Sequence, residues 1–289
     1  MKTAHDHVIL TRFNLPSKGP ESFIRSQDGW LIDRVMLFEQ YCLPSVRMQS
    51  SKDFEWIIYF DPESPAWLRE RIKRWSRDPV FSAIYREEVS RDNLLHDLRS
   101  VTGAKRQHLL TTNLDNDDGL SRDFVERLQS VRVHRERQAI YLTQGLIKNG
   151  NTLYRHLDRE NAFCSVLENW ENAVTCWVDW HNRLADHMST TEVADGPAWL
   201  QVIHERNVSN RVHGRRVPAG SFIPNFGQLI GDVNDPNWYD TALDRLWDAP
   251  RRFVYEATRA GVKKATMLVG GKPALDRMKV LLQQGKTGK

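Results

Sequence analysis

Three carboxylates fall within four residues, at Asp115, Asp117 and Asp118, where the apolar run His108 to Leu114 breaks off. Hard, oxygen-rich corners of this kind suit a divalent cation bridging a diphosphate. The plainer use of such residues is to cap the helix that follows, which Asp117 or Asp118 could do. One cap occupies one aspartate, however, and like charges packed together repel unless a cation offsets them. The pattern therefore predicts a divalent metal, Mn2+ or Mg2+, at this corner. His204 ends a later apolar run, Trp199 to Ile203. As a third ligand it would favour Mn2+, since imidazole suits that ion better than Mg2+; the alternative is a purely structural histidine.

Other residues could serve the same chemistry. Arg12 and Asp61 stand at the ends of apolar runs, where arginine can face phosphate and a carboxylate can accept from a ribose or base; either could equally form a structural salt bridge. Arg206, Arg211, Arg215 and Arg216 crowd one polar stretch. Guanidinium groups pair bidentately with phosphate oxygens, so a basic flap over a diphosphate is expected there, with Arg206 and Arg211 as contacts. A solvated loop or a nucleic-acid contact remain the other readings. Asp158, Glu168 and Asp179 lie where an acceptor would be activated. Asp179, between Trp177 and Trp180, is the expected general base. The chain has no Walker glycine loop, GxSxG elbow or HExxH pair.

These residues need elements that bring them together. The first half alternates strand and helix signals: a strand from His7, helical spacing over Leu31 to Gln49 with Pro44 as kink or break, and a buried strand Phe54 to Phe60. A basic helix from Pro65 to Trp75 follows, then strands Phe81 to Tyr85 and His108 to Leu114, then a helix from Ser121. Such alternation implies βαβ units and a mostly parallel sheet. Ligands in these sheets sit at the carboxyl ends of the strands, where Arg12, Asp61 and Asp115 would converge. The second half reads as short strands over Ala139 to Ile147, Thr152 to Leu157, Ala162 to Leu167 and Val174 to Val178, with Asn149-Gly150 as a hairpin turn. Pro16 to Gly29 reads as a surface loop, and helix is expected from Trp238 onward.

Composition sets outer bounds. With 289 residues, 40% of them hydrophobic, the chain can bury a sizeable core. No stretch approaches the roughly 18 apolar residues of a bilayer span. Cys42, Cys164 and Cys176 are widely spaced, which reads as buried thiols in a reducing cytoplasm. A net charge of +4 fits anionic small molecules, nucleic acid or a membrane surface alike.

Taken in order, Thr11-Arg12-Phe13-Asn14, Leu37-Phe38-Glu39 with Leu43-Pro44-Ser45, Phe54-Glu55-Trp56 ending at Asp61, and Leu114-Asp115-Asn116-Asp117-Asp118 resemble the rhamnosyltransferase family. Trp199 to His204 is similar as well, so the resemblance spans roughly residues 7 to 210. It implies an α/β, GT-A-like fold: a Rossmann-like, mostly parallel central sheet, a smaller mixed second sheet and C-terminal helices. One domain is expected over 1–284, with a nucleotide-binding half to about 130, an acceptor half to about 235, a helical extension beyond, and a disordered tail at 285–289. The resemblance also implies a metal-dependent glycosyltransferase using a nucleotide-sugar donor. Carried over residue by residue, the metal and diphosphate role falls on Asp115 and Asp117, with Asp118 as the substitute, the nucleotide role on Thr11, Arg12 and Asp61, and the late ligand role on His204. A basic residue commonly stands in that family where this chain has Asn113, which leaves that phosphate contact open. Two rivals remain: a nucleotidyltransferase using the same corner, and a non-catalytic basic module for nucleic acid or anionic polysaccharide. The acceptor stays open among glycan, lipid carrier, protein and modified nucleic acid, and the basic balance leans toward peripheral contact with a membrane.

Overall fold

The computed structural model describes residues 4–16, 29–77, 80–204, 211–252 and 254. Strand β1 (His5–Arg12) leads to helix α1 (Trp30–Leu37), which runs through a π-helical turn (Phe38–Cys42) directly into α2 (Leu43–Arg47). Pro44, expected to kink or break this helix, instead sits in the first turn of α2. There a missing N–H costs least, and the wide turn before it accommodates the ring. Strand β2 (Glu55–Phe60), helix α3 (Ala66–Trp75) and strand β3 (Ser82–Tyr85) follow, close to expectation.

Helix α4 (Arg91–Thr102) went unforeseen. Ser90 caps it by accepting from the Asn93 amide, and Gly103 ends it in the left-handed conformation at φ 70°. Strand β4 (His108–Asn113) feeds the acidic corner, which turns into the two-residue β5 (Gly119–Leu120) and helix α5 (Phe124–Gln129).

The expected strand Ala139 to Ile147 proves to be two, β6 (Arg137–Leu142) and β7 (Gln144–Asn149), separated at Thr143. β8 (Thr152–Leu157) pairs back on β7 as a hairpin, as Asn149-Gly150 indicated. The strand expected at Ala162 to Leu167 is shifted to β9 (Ser165–Asn169), and Val174 to Val178 forms no strand. Glu168 explains the latter: its buried carboxylate accepts from the amides of Val174 and Thr175 and pairs with Arg137, closing the chain into a turn. β10 (Ser189–Val193), also unforeseen, and β11 (Trp199–Ile203) are followed by β12 (Arg215–Arg216), short helix α6 (Ile223–Phe226) and helix α7 (Trp238–Leu243), which continues into a π-helical turn (Asp244–Asp248). The loop expected over Pro16 to Gly29 falls mostly outside the described residues, as does the tail at 285–289.

Two sheets result. The first has seven strands in the order β10-β6-β9-β4-β1-β2-β3, with β9 alone antiparallel to its neighbours. The second is mixed and has five, in the order β12-β8-β7-β11-β5. β2 is buried on both faces, as a central parallel strand requires. Alternate residues send Ile9, Phe13, Trp56 and Ile58 to one core with Phe38, Trp75 and Phe124, and Val8, Leu10, Ile57 and Tyr59 to another with Leu94 and Leu98. A third cluster joins Leu146, Leu153 and Leu200 to Tyr41, Phe226 and Leu229.

The chain passes from the first sheet to the second at the acidic corner, at Thr143 and between β10 and β11, returning to the first sheet after β5 and after β8. Strand order also reverses beside β1, since β2 and β3 lie to one side and β4 to the other. Such a switch point opens a crevice at the strands' carboxyl ends. There the first sheet delivers Arg12 and the corner.

Candidate active site

A cleft of about 1240 Å3 occupies this crevice. Arg12, Asp115 and Asp117 line its floor together with Trp30, Arg34 and Asn116. Asn116 fixes the corner: its side-chain amide donates to the backbone oxygens of Arg12 and Phe13, tying β4's exit to β1's end. Arg12 lies flat over the Trp177 ring, 4.0 Å from its centre. Trp177 is held in turn by donating from Nε1 to Asn113 Oδ1 at 2.8 Å. Asn113, where a basic residue was noted as usual, thus positions the aromatic platform on which Arg12 rests.

The three corner aspartates differ sharply. Asp117 is buried and faces the cleft floor, where His204 Nε2 donates to Oδ2 at 2.9 Å. Burial would raise its pKa, but the His204 hydrogen bond and the Arg34 guanidinium outweigh it and hold the carboxyl below its ordinary value. Asp115 opens to the cleft, yet the surrounding walls withdraw solvent and Asp117 adds like charge, which together push its pKa up. Asp118 points away, and its Oδ1 accepts from the Val202 amide at 2.8 Å. Burial and the charges of Asp117 and Asp115 push the Asp118 pKa well up. Its contacts are those of a joint between the corner and β11.

Arg34 was not anticipated. From α1 it places Nη1 2.5 Å from Asp117 Oδ2 and 3.1 Å from Asn116 Oδ1. A cation already stands beside the carboxylate expected to hold a metal. Nothing in the local sequence around Arg34 signals this, because its partners are some eighty residues away. Among the described residues, no three His, Cys, Asp or Glu side chains are grouped as a ready metal site. The donor types still suit a hard or borderline divalent ion: Asp117 and His204 touch, and Asp115 opens on the same floor.

The remaining expected residues scatter. Thr11 is fully buried on the helix side, accepting from Trp56 Nε1 at 3.0 Å. Asp61 does stand at the end of β2, but its Oδ1 accepts from the Glu63 amide and it does not line the cleft. Arg206 lies outside the described residues. Arg211 precedes β12 away from the cleft lining, while Arg215 and Arg216 form β12 itself.

Asp179 lines the opposite wall with its carboxylate engaged. Oδ2 accepts from His187 Nε2 at 3.0 Å, Arg183 approaches at 3.5 Å, and Oδ1 takes the Trp180 amide. The His187 hydrogen bond, then the Trp180 amide, lower its pKa. Asp158 lines the same wall, where its Oδ1 accepts from the Glu160 amide at 3.0 Å. Beneath that wall the Trp199 ring stacks on Phe163 at 5.1 Å and covers Gly145. His156 stacks on His213 at 5.0 Å, and burial holds its pKa down to about 4.

The sequence matches the family described as "Putative rhamnosyl transferase" over residues 6–216, about three quarters of the chain. The chain belongs to that family. The match runs from the second residue of β1 to the end of β12. No curated protein matches the sequence. Among solved structures, S. aureus TarS is 9% identical with a TM-score of 0.41, covering 68% of this chain and 37% of its own. TarS 1-349 in complex with UDP gives the same identity and TM-score and is covered over 60% of its length. An inositol-1-phosphate CTP transferase from T. maritima is 11% identical with a TM-score of 0.35, covering 70% of this chain and 90% of its own. This rhamnosyl transferase family member thus spans between about a third and three fifths of the TarS chains it matches.

Proposed function

We propose that this glycosyltransferase moves a sugar from a nucleoside-diphosphate donor to an acceptor hydroxyl with the help of a divalent metal. The observation that carries the reading is the Asp117–His204 contact at 2.9 Å on the floor of a switch-point cleft, with Asp115 opening beside it. Asp115, Asp117 and His204 would hold Mn2+ or Mg2+, which when bound supplies neutralisation of charge on the leaving diphosphate. Arg12, braced on Trp177, is placed to meet a phosphate or the nucleotide ring. The cleft exceeds the roughly 300–1,000 Å3 of ordinary ligand sites, which leaves room for donor and acceptor together.

The far wall suits the acceptor. Asp158, Glu160, Asp179 and Glu192 line it beside Trp180, an exposed aromatic surface. Arg159 and His181 line it too, and Arg159 pairs with Glu192, so this polar wall beside an aromatic surface suits a hydroxyl-rich acceptor end. If the reaction inverts, a carboxylate here takes the acceptor proton. We assign that role to Asp158 ahead of Asp179, whose three partners hold its pKa low and weaken it as a base. The buried free thiols support a reducing cytoplasmic setting, with peripheral contact at a membrane.

The test is a thermal-shift panel of nucleotides and nucleotide sugars, with UDP as the first probe, each with and without Mn2+. Ligands that bind the native state raise the melting temperature by mass action. Stabilisation by one diphosphate nucleotide only in the presence of metal, lost in Asp117→Ala, is the expected result. Indifference of the protein to every donor in the presence of metal would sink the reading.

A further inference from the structure

Arg34 is a cation that the acidic corner already holds. Its Nη1 stands 2.5 Å from Asp117 Oδ2 and 3.1 Å from Asn116 Oδ1. The pair is largely withdrawn from solvent, the two side chains being 15% and 7% exposed. Among the described residues, the polar contacts of the Arg34 side chain run through Nη1, so Nε and Nη2 remain as donors for a ligand. The guanidinium also lies 5.5 Å over the ring of Trp30, one turn earlier on α1, and both residues line the cleft. An aromatic face attracts a cation without fixing its direction, so the side chain can shift along that face while α1 stays in place.

Charge decides what moves it. A divalent ion arriving alone at Asp117 meets the guanidinium at close range, and like charges repel. A diphosphate arriving alone meets the carboxylates of Asp115 and Asp117, both on the cleft floor. Drawing Arg34 off Asp117 with nothing in its place strands a buried carboxylate, which is costly. When both arrive, the ion replaces Arg34 on Asp117 and the phosphate oxygens receive the guanidinium, whose planar fork matches them bidentately. That exchange leaves no charge unpaired. Asn116 keeps it local: it accepts from Arg34 and donates to the backbone oxygens of Arg12 and Phe13, tying Arg34 to the strand end that carries the other arginine of the floor.

We propose that Arg34 is a ligand of the donor's diphosphate, parked on Asp117 until that diphosphate arrives, so that donor and metal enter the corner together. This rests on the metal-dependent donor reading above and names the side chain that couples its two parts. Such coupling is mutual: whatever the diphosphate does for metal affinity, the metal does for the diphosphate.

The test is titration of the chelator-treated full chain, followed by tryptophan fluorescence, with Mn2+ alone, with inorganic pyrophosphate alone, and with the two as their complex. Pyrophosphate carries the diphosphate without base or sugar. Arg34→Met should bind Mn2+ roughly tenfold tighter and pyrophosphate roughly tenfold weaker, and should narrow the advantage of the complex over either probe. Arg34→Lys keeps the charge without the fork and should fall between. Opposite shifts are the mark of an exchanged guanidinium, because a merely structural arginine moves both affinities the same way or neither. Tighter Mn2+ with unchanged pyrophosphate makes Arg34 a competitor only, and weaker pyrophosphate with unchanged Mn2+ makes it a fixed phosphate contact; either overturns the proposal, as do parallel shifts. Where the melting temperature shows Arg34→Met unfolded, Arg34→Lys carries the same comparison, and parallel or absent shifts there overturn it too. Wild-type protein that binds neither probe nor their complex overturns the donor reading and this proposal with it. Wild-type binding with the wrong pattern in the variants overturns this proposal alone.

Discussion

Arg34 Nη1, from α1, and His204 Nε2, just past β11, meet the same oxygen, Oδ2 of Asp117, at 2.5 and 2.9 Å on the cleft floor. A divalent ion at Asp117 must share that oxygen with the guanidinium or displace it. Hydrogen bonds to charged groups are worth about 1.5–3 kcal/mol. Arg34→Met should therefore raise Mn2+ affinity roughly tenfold or more, measured by titration in the absence of nucleotide. Affinity that is unchanged or lower would show that Arg34 does not compete for the site.

Asp118 should behave as structure and Asp117 as function. The raised pKa of Asp118 means that its buried charge is costly beside Asp115 and Asp117. Asparagine keeps an acceptor for the Val202 amide and removes the repulsion, so Asp118→Asn should hold or raise the melting temperature. Asp118→Ala leaves that buried amide unsatisfied and should cost about 1–3 kcal/mol in urea denaturation. Equal losses in both variants would contradict this division.

Gly145 has no room for a side chain. A Cβ there would lie 2.0 Å from the Trp199 ring, which is fixed by its Nε1 bond to the Leu142 carbonyl at 2.8 Å. Gly145→Ala should destabilise the protein by about 2 kcal/mol or more, read from the urea midpoint. A midpoint within error of wild type would mean that the ring can move.

Acid should act through His7. Buried, with Nε2 paired to Thr112 Oγ1 at 2.9 Å, it has its pKa lowered from 6.5 to about 3 by burial first and by the charge of His5 next. Between those values the unfolded chain takes up a proton that the folded one refuses, so stability falls as pH drops from 6.5 toward 3. His7→Gln can keep a bond to Thr112 and should flatten the melting-temperature decline over that window. An unchanged slope would place acid sensitivity elsewhere.

The sequence made β2 and β4 readable because each is an apolar run stopped by aspartate. It also marked the corner, whose three carboxylates exceed what capping uses. It could not show which way each points: Asp118 turns to β11 only because β5 pairs there. Thr11 alternates with Ile9 on β1 and Phe13 just past it, so strand alternation alone could have sent it to the face that packs on Phe38 and Trp56. Thr143 hid the sheet crossing because apolar, β-forming residues, Ala139 to Leu142 before it and Leu146-Ile147 after it, read as one interrupted run. The α4 helix could have been read from Ser90, the Leu94–Leu98 pair and Gly103, but its face is narrow and otherwise charged. Arg34 was beyond reach, since the ion pair that matters depends on how α1 crosses the ends of β1 and β4.

The crossings at the acidic corner and Thr143 have a consequence for dissection. A fragment ending near residue 130 would carry β5 without β11 and β4 without β9, exposing unpaired edges in both sheets. The floor of the cleft and its far wall should therefore not survive as separately expressed pieces. If the chain is to be nicked and remain assembled, the Asn149–Gly150 hairpin is the place, since its turn joins two neighbouring strands of one sheet.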